Sequence, residues 1–307
     1  MNQALEEKEL GKEGGVAVAD SMNAAASSRE SESSQQITII ERRPGWKFID
    51  LAECFRYREL LFFLIWRDVK VRYKQTVLGI AWAVLQPLAT MVVFSVFIGR
   101  MAGIASSDLP YPLYAFIGLV PWTFFANAVA SAGSSVVGNQ NLISKVYFPR
   151  IFIPLGTVGA GFVDFAIASL LAVPLLFYYA VYPTWSLLLS PPIALLLIVA
   201  ASGFGALFSA LTVAYRDFRY VVPFTVQLWM FATPCVYLPP EAYADSRWAQ
   251  LLPLNPAFGL VFNFRASLTG RPFDWSALAI SGTVAVVVLV VGALYFRRVE
   301  RSFADIV

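Results

Sequence analysis

The chain contains no histidine, only two cysteines, Cys54 and Cys235, and charged residues at just 14% of its 307 positions. Each shortage excludes something. Without histidine there is no imidazole for acid–base catalysis near neutral pH, and no histidine-ligated metal. The cysteines form no spaced ligand motif. One precedes the first long apolar run and the other falls near the end of a later one, so no disulfide is expected. The phosphate-cradling pattern G-x-x-x-x-G-K-[ST] is absent, as are a nucleophile elbow and a paired-carboxylate site. The chain is therefore expected not to be an enzyme and to hold no cofactor. If ATP drives its work, ATP and Mg bind a separate chain. Residues 1–44 offer no apolar signal-peptide core, so the first span is expected to serve as its own uncleaved signal.

Apolar residues fill the space that charge leaves. They make up 58% of the chain, and the mean hydropathy is +0.64. Soluble domains lie nearer 45–50% apolar and about 25% charged. Five stretches carry no charge: Gln75–Gly99, Leu109–Ser144, Phe165–Tyr215, Tyr220–Pro240 and Trp275–Phe296. Each is long enough for a membrane span of roughly 20 residues, and the third must hold two. The expected fold is an all-α polytopic membrane protein with six spans. These run over about Leu78–Ile98, Leu113–Val137, Phe152–Tyr179, Leu187–Ala210, Val221–Tyr237 and Ala277–Phe296.

Four regions follow. Residues 1–44 are small, polar and acidic and read as a disordered tail. Residues 45–75 mix aromatic and basic side chains. Leu51, Cys54, Phe55, Leu61, Phe62 and Ile65 recur at helical spacing there, which fits an amphipathic helix in the headgroup plane, or a soluble helix packed on a partner. Residues 76–296 hold the six spans, and residues 297–307 form a C-terminal tail. Sixteen Lys and Arg fall on one set of connections, including nine in Arg42–Lys74, against four on the other set. Both termini are thereby expected in the cytoplasm. Between spans five and six, Leu238–Asp274 holds the apolar stretch Trp248–Phe264, broken by Pro253 and Pro256. Short re-entrant helices buried against protein on the external side fit it. The rival, a seventh span, would carry the C-terminal arginines outside.

Two cytoplasmic motifs stand out. The first runs from Arg67 through Asp68, Lys70, Arg72, Tyr73 and Lys74 to Gly79 and Trp82, then Gln86-Pro87. Its basic collar leads directly into span one, where Gly79 permits close backbone approach and Pro87 bends the helix. The second is Asn141-Leu142-Ile143-Ser144-Lys145-Val146-Tyr147-Phe148-Pro149-Arg150. A plain loop would be polar. Apolar residues beside Lys145 and Arg150 suit a short helix in a partner's groove, or a loop resting on lipid headgroups. Asp164 lies inside span three, where a lone acid is a functional candidate, facing an aqueous path or bonding a neighbouring span.

Together the two motifs resemble the polysaccharide-export branch of the ABC-2 type permeases, which includes O-antigen, capsular polysaccharide and teichoic acid exporters. The resemblance covers about Trp46–Phe303. It implies a homodimer served by two copies of a separate ABC ATPase, in a bacterial cytoplasmic (inner) membrane. It also implies that Leu142–Arg150 is the coupling helix docked in the ATPase, that Trp46–Arg67 is the interface helix, and that Leu238–Phe264 forms external gate helices. The cargo implied is a lipid-linked, O-antigen-like polysaccharide, and no nucleic acid. Arg56, Arg58, Arg67, Lys70 and Arg72 are the candidates for binding the lipid carrier's pyrophosphate. Trp82, Phe94, Phe97, Trp122, Phe125, Tyr178, Trp229 and Tyr237, with Phe124, Tyr179 and Phe231, are candidates for lining the sugar path; aromatic belts at the membrane interface are the other reading. An ABC-2 exporter of a drug or small lipid fits the same fold. An ion-coupled secondary transporter fits less well, because no internal repeat and no second intramembrane acid are present.

Overall fold

A computed structural model of the chain describes residues 56–101, 109–240 and 247–300, apart from 75, 77, 78, 80, 146, 147 and 248. The tail expected at 1–44, the first part of the 45–75 segment, Glu241, Asp245, Trp248 and residues 301–307 lie outside the described residues. Among the described residues every regular element is helical. The order is α1 (Arg58–Tyr73), α2 (Ala81–Phe94, continuing as a π-helical turn Ser95–Met101), α3 (Tyr111–Gly138), α4 (Gln140–Lys145), α5 (Phe152–Tyr178), α6 (Ser190–Ala214), α7 (Phe218–Phe231), α8 (Pro256–Thr269) and α9 (Trp275–Glu300). Short 3₁₀ turns at Trp185–Leu189, Pro234–Val236 and Ala249–Leu254 link them.

Five helices are long and apolar enough to cross a membrane: Ala81–Met101, Tyr111–Gly138, Phe152–Tyr178, Trp185–Ala214 and Trp275–Glu300. They match expected spans one to four and six closely. Span five differs. In place of a helix over Val221–Tyr237, α7 stops at Phe231 after 14 residues, about 21 Å at the usual rise. The cause is Pro234, which disfavours helical backbone at Thr233; that residue sits at φ −122°, ψ 67°. The chain then continues as the Pro234–Val236 turn.

α3 is the axis of the described bundle. In its most apolar stretch 78% of residues are buried, against 6% for α2. It packs on α2, α5, α6, α7 and α8. The main core gathers its Leu113, Phe116, Ile117, Phe125 and Val129 with Leu197 of α6 and Leu260 of α8. α6 and α9 meet where Gly203 and Gly292 bring backbone against backbone. A second core, Leu64, Val136, Phe148, Phe152, Val213 and Phe296, closes one end of the bundle. α8 is short but buried at 13 of its 14 positions, because all of its faces meet protein. Such a helix fits the re-entrant reading of Leu238–Asp274.

α1 lies along α5. Leu64 is seated over Gly156, and Ile65 fills the space a side chain at Gly159 would take. Its opposite face, Phe62, Phe63 and Trp66, is about two-thirds exposed. The helix is thus apolar on both sides. Gly79 also departs from expectation. Among the described residues a Cβ at Gly79 would meet nothing within 4 Å, and glycine suits its left-handed φ of +51° at the turn into α2.

Candidate functional site

The C-terminal end of α1 closes a cavity of about 520 Å³ between α2, α3 and α5. Helical spacing assembles its polar lining. On α3, Thr123, Asn127 and Ser131 stand four residues apart and share one face. On α5, Thr157 and Asp164 flank Gly161 on the face opposite. α2 adds Trp82, Ala83, Gln86 and Pro87, and Val120, Phe124 and Phe165 give an apolar floor. Pro87 has no amide hydrogen, so the carbonyl of Ala83, four residues back, loses its helical donor beside the cavity. Among the described residues, the carboxamides of Gln86 and Asn127 make no hydrogen bond within the chain.

The charged corner is built from α1. The Arg72 guanidinium and the Tyr73 hydroxyl both donate to the Asp164 carboxylate. Burial, and then the hydrogen bond to Asp164, hold the Tyr73 hydroxyl above the ordinary tyrosine range, so it remains a donor through physiological pH. Asp164 thus finds its partners on the basic collar, not on a neighbouring span. One turn earlier, Arg67 donates to Asp68 at 2.8 Å and to the Asn139 side chain at 3.0 Å. The Thr157 hydroxyl lies 3.4 Å from Asp68.

Asn139 caps α3 and immediately precedes α4, so Arg67 braces one end of the segment Asn141–Arg150. The other end is held by α9. The Arg150 backbone amide donates to the Glu300 carboxylate at 3.2 Å, and its guanidinium donates to the Glu300 carbonyl at 3.1 Å. Within the segment, Asn141 is exposed, Leu142 and Ile143 pack against the second core, and Phe148 is buried in it. These three apolar residues therefore pack at least in part on their own chain. The side chains of Ser144 and Lys145, and residues Val146 and Tyr147, lie outside the described residues; Pro149 is half-buried.

At the opposite end, Asn255 ties α7 to α8. Its side-chain oxygen caps α8 at the Ala257 amide (3.1 Å) and accepts from the Trp229 indole (2.9 Å). Its amide nitrogen donates to Thr233 and to the Ala232 carbonyl. Removing such a cap costs about 1 kcal/mol. Asn255→Ala is expected to lose that much and also to free Trp229. Trp229 fluorescence should become more solvent-quenched, and unchanged emission would contradict the staple. Nearby, buried Arg265 stacks over the Tyr114 ring at 3.6 Å. Tyr111 and Tyr114 donate to the Tyr237 and Leu238 carbonyls at 2.9 and 2.6 Å.

The sequence-derived candidates divide accordingly. Of the basic set, Arg56, Arg58 and Lys70 are exposed, whereas Arg67 and Arg72 are held by Asp68 and Asp164. Of the aromatics, Trp82, Phe97, Tyr178 and Phe231 are exposed, and Phe94, Tyr179, Trp229 and Tyr237 are half-buried. Trp122, Phe124 and Phe125 are buried, at 4%, 5% and 0% exposure, because α3 is covered on most sides; Phe124 also borders the cavity. Phe125 meets Phe204 and Trp229 edge-on there. Sequence reasoning gave Tyr73 no role of its own and missed Thr123, Asn127, Ser131 and Thr157. The available signal was the four-residue repeat of polar side chains along span two.

Comparison with known proteins adds the following. The ABC-2 type transporter family matches residues 59–268. The O-antigen export system permease protein RfbA of Myxococcus xanthus is 28% identical over 257 residues, 83% of this chain and 98% of the relative. RfbA of Klebsiella pneumoniae is 27% identical over 81% of this chain and 95% of its own length. The polysialic acid transport protein KpsM of Escherichia coli is 23% identical over 78% of this chain and 93% of its own length.

Proposed function

Because the chain belongs to the ABC-2 type transporter family, we propose that it is the membrane permease subunit of an ABC exporter that moves a lipid-linked, O-antigen-like polysaccharide across the bacterial cytoplasmic membrane. The observation that carries this reading is the extent of the match. The relatives named for O-antigen export align over 98% and 95% of their own lengths, so the likeness takes in the whole permease and not one shared helix pair.

A family permease works with an ABC ATPase. Here two copies of this chain, both with cytoplasmic termini, pair with two copies of a separate ATPase in which ATP and Mg act. Asn141–Arg150 takes up the motion of the ATPase and passes it to α3 and α5, which it joins. Arg56, Arg58 and Lys70, on the exposed side of the basic collar, receive the phosphate groups of the lipid carrier. Arg67 and Arg72 hold the collar to the bundle.

Deleting the gene tests this. Surface polysaccharide should disappear and lipid-linked glycan should accumulate inside, with recovery when this chain is supplied again, but not in a strain that also lacks the ATPase. Intact surface polysaccharide, with loss of a drug-efflux or lipid-flipping phenotype instead, would favour the small-molecule exporter.

A further inference from the structure

We propose that the cavity between α1, α2, α3 and α5 is a docking site for a neutral sugar unit of the exported glycan. This rests on the polysaccharide-export reading and adds a place within a single protomer where the glycan is held.

Four observations carry it. First, Gln86 and Asn127 present carboxamides to the cavity without a partner inside the chain. Both side chains are exposed in the single chain, so their hydrogen-bonding groups stand open to a bound molecule. Each carboxamide offers two donors and an acceptor, the complement of a sugar hydroxyl that both gives and takes a hydrogen bond. Second, the lining sets these groups beside aromatic faces. Trp82 is 55% exposed, with its ring free to lie against the C–H face of a sugar, and Phe124 and Phe165 form the floor. Third, the volume of about 520 Å³ falls within the roughly 300–1,000 Å³ typical of small-ligand sites.

Fourth, the charge decides between a sugar and a phosphate. Among the described residues Arg72 is the cation lining the cavity, and its charge is answered by Asp164. A pair with no net charge gives an anion little reason to settle there. It also leaves on Asp164 acceptor capacity beyond the two hydrogen bonds it receives, suited to sugar hydroxyls. Ser131 and the Ala83 carbonyl add a donor and an acceptor at the edge. The position has a consequence as well. The same α1 residues that close the cavity continue, through Arg67 and Asn139, to the start of the coupling segment. An occupied cavity therefore sits against the element that must move.

The test uses the whole transporter in cells that make the glycan. p-Benzoylphenylalanine at Trp82 should, on irradiation, give a ladder of glycan adducts that vanishes in an isogenic strain unable to make the glycan. The same probe at Val291, on the outer face of α9, should give none. Adducts to lipid alone, the same in both strains, or no adduct at Trp82, would overturn the proposal. In parallel, Gln86→Leu and Asn127→Leu should each lower export about tenfold, the range for one lost hydrogen-bonding group, with the complex assembled and its basal ATP hydrolysis retained. Normal export by the double variant would also overturn it. If deletion of the gene leaves surface polysaccharide intact, the functional reading itself falls. If wild type exports and the double variant exports equally well, only the cavity assignment falls.

Discussion

Gly292→Ala is expected to destabilise the protein severely, and Gly282→Ala is expected to leave it as stable as before or slightly more so. Both glycines lie on α9 and both face α6, so helix propensity favours alanine at each, by about 1 kcal/mol. They differ in what the new methyl group meets. At Gly292 it would lie 2.3 Å from the Gly203 carbonyl oxygen, and at Gly203 it would lie 2.6 Å from the Leu289 amide nitrogen. These are backbone atoms, with no rotamer through which to yield, so the two helices must separate along their whole crossing. At Gly282 the neighbours are the Leu196 methyl carbons at 3.5 and 3.9 Å, ordinary contact. Overpacking of the first kind costs about 3 kcal/mol or more. In a membrane, where apolar burial drives helices together little, close backbone approach is a large part of what holds them. Thermal unfolding of the purified protein reads the contrast: Gly292→Ala and Gly203→Ala lower Tm by several degrees, and Gly282→Ala does not. Equal Tm for the Gly282 and Gly292 variants would mean that α6 and α9 are not in backbone contact.

That contact was not legible in the sequence, although the two helices were. A span announces itself by an uncharged run, because the bilayer core has one thickness and tolerates little charge. Span three was expected over Phe152–Tyr179 and is observed over Phe152–Tyr178. What the run does not encode is which face meets which neighbour. Trp122 and Trp82 look alike as aromatics in a span, yet one is 4% and the other 55% exposed. The difference lies in where α2 and α3 sit in the bundle.

The cavity was half legible. Asp164 stood out as the acid inside a span. Its pairing with Arg72 and Tyr73 did not: both belong to a motif that was noted, but they lie 92 and 91 positions earlier, and nothing in the spacing joins them to Asp164. Thr123, Asn127 and Ser131 went unremarked because a search by charge passes over neutral polar side chains. Their spacing of four on a helix was the trace. The short α7 was encoded locally, in Thr233-Pro234, and was lost to the weight given to an uncharged run.

Reversing charge at the end of the coupling segment is expected to break transport without breaking the complex. The Arg150 guanidinium donates to the carbonyl of Glu300, the last residue of α9, while the Arg150 amide is held by the Glu300 side chain. A cation at a helix C-terminus is favourable, because the last carbonyls carry partial negative charge; an anion there is repelled. Arg150→Glu therefore removes a donor and sets a carboxylate against both the end of the helix and the Glu300 carboxylate. The segment stays joined to α3 and α5, and Arg67 still holds its other end through Asn139. The expected result is export lowered about tenfold, within the usual range for coupling between distant sites, with ATPase association retained and hydrolysis continuing unproductively. Arg150→Lys keeps the cation but not the fork geometry, and should fall between Arg150→Glu and wild type. Glu300→Ala supplies the discriminating arm. It frees the Arg150 amide but leaves the guanidinium its backbone carbonyl, so it should give a smaller loss of the same kind. If Arg150 served only to grip the ATPase, Glu300→Ala would export normally and Arg150→Glu would fail to assemble. That pair of results would remove the brace from the transmission path and leave it a packing detail of the bundle end.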